Sequence, residues 1–290
     1  MRLSIVISHF SNLLFFIQKT SQFRSVRLAL QKCLAHENIN LFFYGKNENE
    51  ICRRIEESAG EQCVKQFQKI IVSPKSIFYP YWFKESKNLL LWKKYFQNNL
   101  SLFRRVIFDI EKLSGVARFT ISKIPIYLIS DPAHSDKEIH SWFSWTQKKS
   151  FIVVEIPRGL KPSNDLFPVS ILAHEFFHLI FREDKNLFPQ INKMAKESGK
   201  LFTKLSGGMT DRIFLEELLI SSFIPEGYLG EKYFHTKITT CFNMRVNNLL
   251  AWRRFAAYKL KQTAKDYVNK SQPIDEEYIR ALVSAIKQRA

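Results

Sequence analysis

The chain has 290 residues, 46% hydrophobic and 14% aromatic, with Phe at 26 positions. This excludes a disordered chain and supports one large domain or two small ones around a sizeable core. The formal net charge of +17 allows an anionic partner, but no long run of consecutive basic residues assigns one.

Residues 3–8 read as a strand, about 11–35 as a mixed helical pattern, and 39–44 as a strand ending at Gly45. Residues 48–67 read as a charged helix, and 69–72 as a short strand closed by Pro74. Pro74 and Pro80 are expected to bracket a loop or linker. The aromatic run from Phe78 to Phe83 around it is expected to pack one layer on another rather than to stack on nucleic acid. This divides the chain into residues 1–75, an N-terminal α/β segment of unassigned role, and residues 76–290, which carry the chemistry and end in helices over 231–290.

A long helix is predicted over about 86–113, ending before Gly115, with Leu89, Trp92, Phe96, Leu100, Phe103, Ile107 and Ile110 as its apolar stripe. Strands follow at 123–129 and 150–156. The stretch between them, containing His134, His140, Trp142 and Trp145, reads as a polar loop with surface histidines. Asn164 or Asp165 is placed to cap the next helix, with Pro168 in its first turn. Amphipathic helices are expected over 187–205, before Gly207-Gly208, and from Thr210 or Asp211 to Phe223, before Pro225 and Gly227. A basic helix over about 240–266 and a last one started by Ser271 and Pro273 complete the chain.

Chemistry concentrates in Ile171-Leu172-Ala173-His174-Glu175-Phe176-Phe177-His178-Leu179-Ile180. In a helix, positions i and i+4 share a face, so His174 and His178 can aim two imidazoles at one metal ion. Glu175 lies about 100° round the axis, placed to reach a water on that ion rather than the ion itself. The motif arises by chance in on the order of one in a hundred chains of this size. The residues between and around the histidines are uncharged, so the helix is buried, and a buried Glu beside two buried His needs a partner or a metal. A hydrolytic zinc site needs one more protein ligand. Glu216 and Glu217 sit in the apolar helix 213–223, where at least one faces inward and wants a cation.

Over about residues 94–228 the sequence resembles the zincin metallopeptidases, and among them the gluzincins, which pair a His-Glu-x-x-His helix with a Glu on a downstream helix. The resemblance implies an α+β, predominantly helical fold with a small sheet packed on the His-Glu-x-x-His helix. It implies one zinc ion held by His174, His178 and Glu217, with Glu216 as the alternative because helix phase does not decide between them. Glu175 would be the general base in hydrolysis of a peptide or protein substrate. Ser221, one turn after Glu217, matches a polar residue that supports the site in that family. Residues 151–156 match the strand along its substrate cleft. The oxyanion helper has no matched position; Tyr228, Tyr233 and His235 are candidates. The competing reading is a zinc-containing, nucleic-acid-associated binding protein with little or no hydrolysis, carried by net charge and by no motif. Cys33, Cys52, Cys63 and Cys241 lack Cys-x-x-Cys spacing and suit a reducing compartment. With no leader pattern and no apolar run near the roughly 18 residues of a membrane span, a cytoplasmic protein is expected.

Overall fold

A computed structural model describes residues 2–26, 28, 47–115, 123–133, 138–145, 150–239 and 248–290. Its centre is a four-stranded sheet of β1 (Arg2–Val6), β2 (Lys123–Asp131), β3 (His140–Trp145) and β4 (Ser150–Pro157), in the order β1-β2-β4-β3. β1, β2 and β4 are parallel; β3 pairs antiparallel with β4 at the edge.

β2 and β4 are apolar on both faces, as a sheet covered on both sides requires. Ile124, Ile126, Leu128, Ile152, Val154 and Ile156 join one core cluster. Tyr127, Ile129, Phe151 and Val153 join the other. Against this second face lie α1 (His9–Lys19), α2 (Glu48–Ala59) and the first half of α3 (Glu61–Asn98). Against the first lie α4 (Leu100–Ser114) and α5 (Phe167–Glu183), the helix carrying the histidines. The fold is thus α+β and predominantly helical, with a small mixed sheet.

Several predicted elements differ. Residues 69–72 are helix, not strand, and Pro74 and Pro80 lie inside α3 rather than in a loop. Each proline removes a helical hydrogen bond, at a cost of about 3 kcal/mol. Burial of Phe67, Ile71, Pro74, Phe78, Leu89, Trp92 and Phe96 along one side of α3 offsets it. Residue 75 therefore lies inside a continuous helix, and β1 shares the sheet with β2. The helix predicted over 86–113 is interrupted at Asn99, whose Nδ2 donates to the Tyr95 carbonyl at 2.9 Å. The expected polar loop at 140–145 is β3.

The helix predicted over 187–205 divides at Ser198 into α6 (Leu187–Glu197) and α7 (Gly199–Leu205). α8 (Asp211–Ser221) is capped by Thr210 as expected, and α9 (Tyr228–Phe234) follows a tight turn. The basic helix is resolved as α10 (Leu249–Lys259) and α11 (Lys261–Lys270), and the last helix, α12 (Glu276–Arg289), is capped by Asp275 rather than started at Ser271. The strand expected at 39–44, most of residues 27–46 and the start of the basic helix at 240–247 lie outside the described residues. No described helix is long and apolar enough to cross a membrane.

Candidate metal centre

α5 is buried on nearly every side from Pro168 to Phe181, so its two histidines and its glutamate are desolvated by the fold itself. Its start is held from outside. Leu166, not the expected Asn164 or Asp165, holds the N-cap position, while Asp165 Oδ1 accepts the Phe167 N–H at 2.9 Å from one residue before it. Trp92 Nε1 and Asn88 Nδ2 of α3 both donate to the Leu160 carbonyl, at 2.7 and 2.8 Å, anchoring the loop before α5.

His174 Nε2 and His178 Nε2 lie 3.1 Å apart and face the Glu217 carboxylate of α8, at 3.3 and 3.1 Å. These three residues form a group whose ligand atoms all lie within 4.8 Å of one another and which could hold a metal ion. The partners of the other ring nitrogens assign the tautomers. His174 Nδ1 is 3.0 Å from the Ile224 carbonyl, and His178 Nδ1 is 2.8 Å from Glu216 Oε1. A carbonyl or carboxylate only accepts, so both Nδ1 atoms carry hydrogen and, in the neutral rings, both Nε2 atoms present lone pairs. Two nitrogen lone pairs and a carboxylate then converge with no donor between them. A cation satisfies that arrangement; neutral hydrogen bonding does not.

The choice between the adjacent glutamates follows from this geometry. Glu217 completes the triad. Glu216 stands behind His178 and also accepts from Arg182 at 3.1 Å and Arg212 at 2.7 Å. A carboxylate behind a ligating imidazole orients the ring and raises its basicity. Burial opposes charge on His178, but Glu217 and Glu216 outweigh it and push its pKa up to about 10. Burial likewise opposes charge on Glu217, and the two histidines outweigh it, holding its carboxyl well below the usual range. Without a metal, a proton on His178 fills the cationic role.

The turn after α8 delivers the carbonyl that fixes His174. It requires glycine at 227: a Cβ there would lie 1.9 Å from the Ser222 carbonyl oxygen. Phe143 of β3 stacks on His178 with centroids 5.0 Å apart, and Ser141 Oγ donates to Glu175 Oε1 at 2.9 Å. The strand beside the ligand helix is therefore β3. β4, expected to border the cleft, is an interior strand flanked by β2 and β3 and has no free edge.

A cleft of about 1130 Å³ opens over the triad. His174, Glu175 and Glu217 line it, with Ser141, His140, Glu226 and Arg253 among its polar groups and Phe167, Ile171, Met209, Leu249 and Leu250 among its apolar ones. Tyr228 and His235, the oxyanion candidates, do not line it: Tyr228 packs against the core and His235 is the exposed C-cap of α9. Tyr233 is also elsewhere, donating to Asp109 at 2.7 Å.

Sequence reasoning missed Arg253. Its Nε donates to Ser221 Oγ at 2.7 Å, and its guanidinium is 3.1 Å from Glu226 and 3.8 Å from Glu217. Ser221, expected to support the site, meets this arginine rather than Glu217 or the histidines. Burial opposes the Arg253 charge, but Glu226 and Glu217 outweigh it. Nothing local distinguishes Arg253 from Arg254 beside it; only the packing of α10 against α8 does. Ser141 was missed because its strand was read as a loop. No protein-family model, curated protein or solved structure matches the chain.

Proposed function

We propose that the chain is a zinc-dependent metallopeptidase of the zincin type, with His174, His178 and Glu217 as the ligands and Glu175 as the general base. The observation that carries this reading is the convergence of three acceptor atoms without a donor, beside a carboxylate lining the same cleft. The ligand chemistry, two imidazoles and one carboxylate, suits zinc. When bound, the ion supplies a Lewis acid that polarises the scissile carbonyl and lowers the pKa of water towards about 7.

The protein's own residues do the rest. Glu216 and the Ile224 carbonyl hold the two rings with Nε2 forward. Ser141 donates to one oxygen of Glu175 and so orients the carboxylate. As water attacks the carbonyl carbon, Glu175 takes its proton; as the C–N bond breaks, Glu175 returns that proton to the leaving amine. The Arg253 guanidinium lies 3.8 Å from Glu217 and faces the cleft, a position suited to charge developing on the carbonyl oxygen.

The nucleic-acid reading rests on net charge alone and gains no support from the residues of this cleft. A cytoplasmic location is part of the proposal, since the thiol of Cys52 suits a reducing compartment. The test is metal analysis of the purified protein combined with hydrolysis of an unfolded protein substrate. Zinc near one equivalent and hydrolysis abolished by Glu175→Gln with metal retained are expected; full activity of Glu175→Gln would reject the assignment.

A further inference from the structure

Helix α3 has a second face that nothing among the described residues covers. Val72, Tyr79, Phe83 and Leu90 are all exposed, Phe83 at 71% and Val72 at 64%. At about 100° per residue they fall within about 40° of one another, on a stripe roughly 27 Å long. The small residues Ser76 and Ser86 lie between them, while the exposed Ile77 and Leu91 lie about 140° and 100° round the helix, off the stripe. Among the described residues, six of the thirteen exposed large hydrophobic residues are on this one helix. The buried side of α3, from Phe67 through Phe78 to Phe96, faces the other way. The aromatic run expected to pack between layers therefore splits: Phe78 is core, while Tyr79 and Phe83 point outward.

Charge selects the occupant. Beyond Glu61, α3 carries seven lysines and a single carboxylate, Glu85, which is buried. Glu85 is spent internally, accepting from Gly159 N at 3.1 Å and Ser130 Oγ at 3.3 Å. Lys65, Lys69, Lys87 and Lys94 fall on the same half of the helix as the stripe. A second copy of the chain would set lysines against lysines. Nucleic acid would meet the lysines but offers little to the aliphatic tips of Val72 and Leu90. A bilayer surface of anionic lipids meets both: lysines reach the headgroup phosphates, and the apolar tips enter the boundary with the acyl chains.

We propose that this face of α3 docks the protein peripherally on an anionic membrane surface. The proposal is independent of the metal centre. It is tested by co-sedimentation of the full chain with vesicles of phosphatidylcholine alone or mixed with phosphatidylserine, at low and high salt. Binding to the mixed vesicles, weakened by salt and absent from the neutral ones, is expected. The double variant Tyr79→Ser/Phe83→Ser should weaken it at least about tenfold, and Lys87→Gln/Lys94→Gln by about tenfold. Both variants change exposed positions and should keep wild-type circular dichroism and metal content. Undiminished binding of the Tyr79/Phe83 variant, or equal binding to neutral vesicles, would overturn the proposal. So would duplex DNA binding that this variant weakens while vesicle binding is unchanged. A solution dimer dissociated by Phe83→Ser would assign the stripe to a second copy instead.

Discussion

Two places in this molecule bury several carboxylates, and their donor inventories are opposite. At the carboxyl ends of β2 and β4, Glu85, Asp131 and Glu155 are buried, and Glu85 lines a cavity of about 630 Å³. Each is answered by donors. Gly159 N and Ser130 Oγ serve Glu85, Trp142 Nε1 donates to Glu155 at 2.7 Å, Ala133 N donates to Asp131 at 2.9 Å, and Lys19 stands between the last two at 3.4 and 3.7 Å. At the metal centre, Glu216 is answered in the same way by Arg182 and Arg212, but the partly buried Glu217 has Arg253 no nearer than 3.8 Å and faces two ring nitrogens whose hydrogens are committed elsewhere. Buried acid by itself therefore does not mark a metal site. The count of donors against acceptors does, because an unanswered buried acceptor costs more than a hydrogen bond contributes.

The contrast is broken or sharpened most strongly by metal content. His174→Ala and Glu217→Ala should each lose the ion, while Glu155→Gln keeps it; elemental analysis after dialysis reads this directly, and metal retained in Glu217→Ala would make the two clusters equivalent. Next in size, Glu175→Gln should lower peptide hydrolysis by about 10²- to 10⁴-fold with metal unchanged, measured as initial rates on a fluorogenic peptide. Glu216→Ala should weaken metal affinity by about 10- to 100-fold without abolishing it, as a chelator competition titration would read. Glu85→Ala should leave metal content intact yet destabilise the fold by about 1 kcal/mol, by removing the acceptor of Gly159 N and Ser130 Oγ; urea unfolding measures it.

A separate effect is a pH dependence confined to the metal-free protein. His178 has its pKa raised in the fold, from 6.5 to about 10. Its charge therefore contributes stability that is fully present below pH 6.5 and is lost as pH rises through about 10. Added metal displaces that proton. The unfolding midpoint should fall with rising pH in chelator and lose that dependence with metal bound; identical profiles would show that proton and ion do not share the site.

Local signals with a strict period were legible. The i, i+4 histidines, the Thr210 cap, the apolar runs of β2 and β4 and the stop at Gly115 all depend on neighbours in sequence. Elements whose stability comes from afar were not. α3 continues through Pro74 and Pro80 because core residues on both sides hold it. β3 has too short and polar a sequence to declare itself; its pairing with β4 and the packing of Phe143 on His178 make it a strand.

The sequence by itself determined that two imidazoles and a carboxylate share one buried helix, since helical periodicity requires only residue spacing. It also determined that a second, apolar helix with adjacent glutamates lies downstream. Only the tertiary structure decided which glutamate meets the histidines, that Arg253 rather than Tyr228 or His235 faces the cleft, and that Ser141 holds Glu175. Those assignments depend on helix rotation and on contacts between residues about 35 to 45 positions apart, which propensity does not encode.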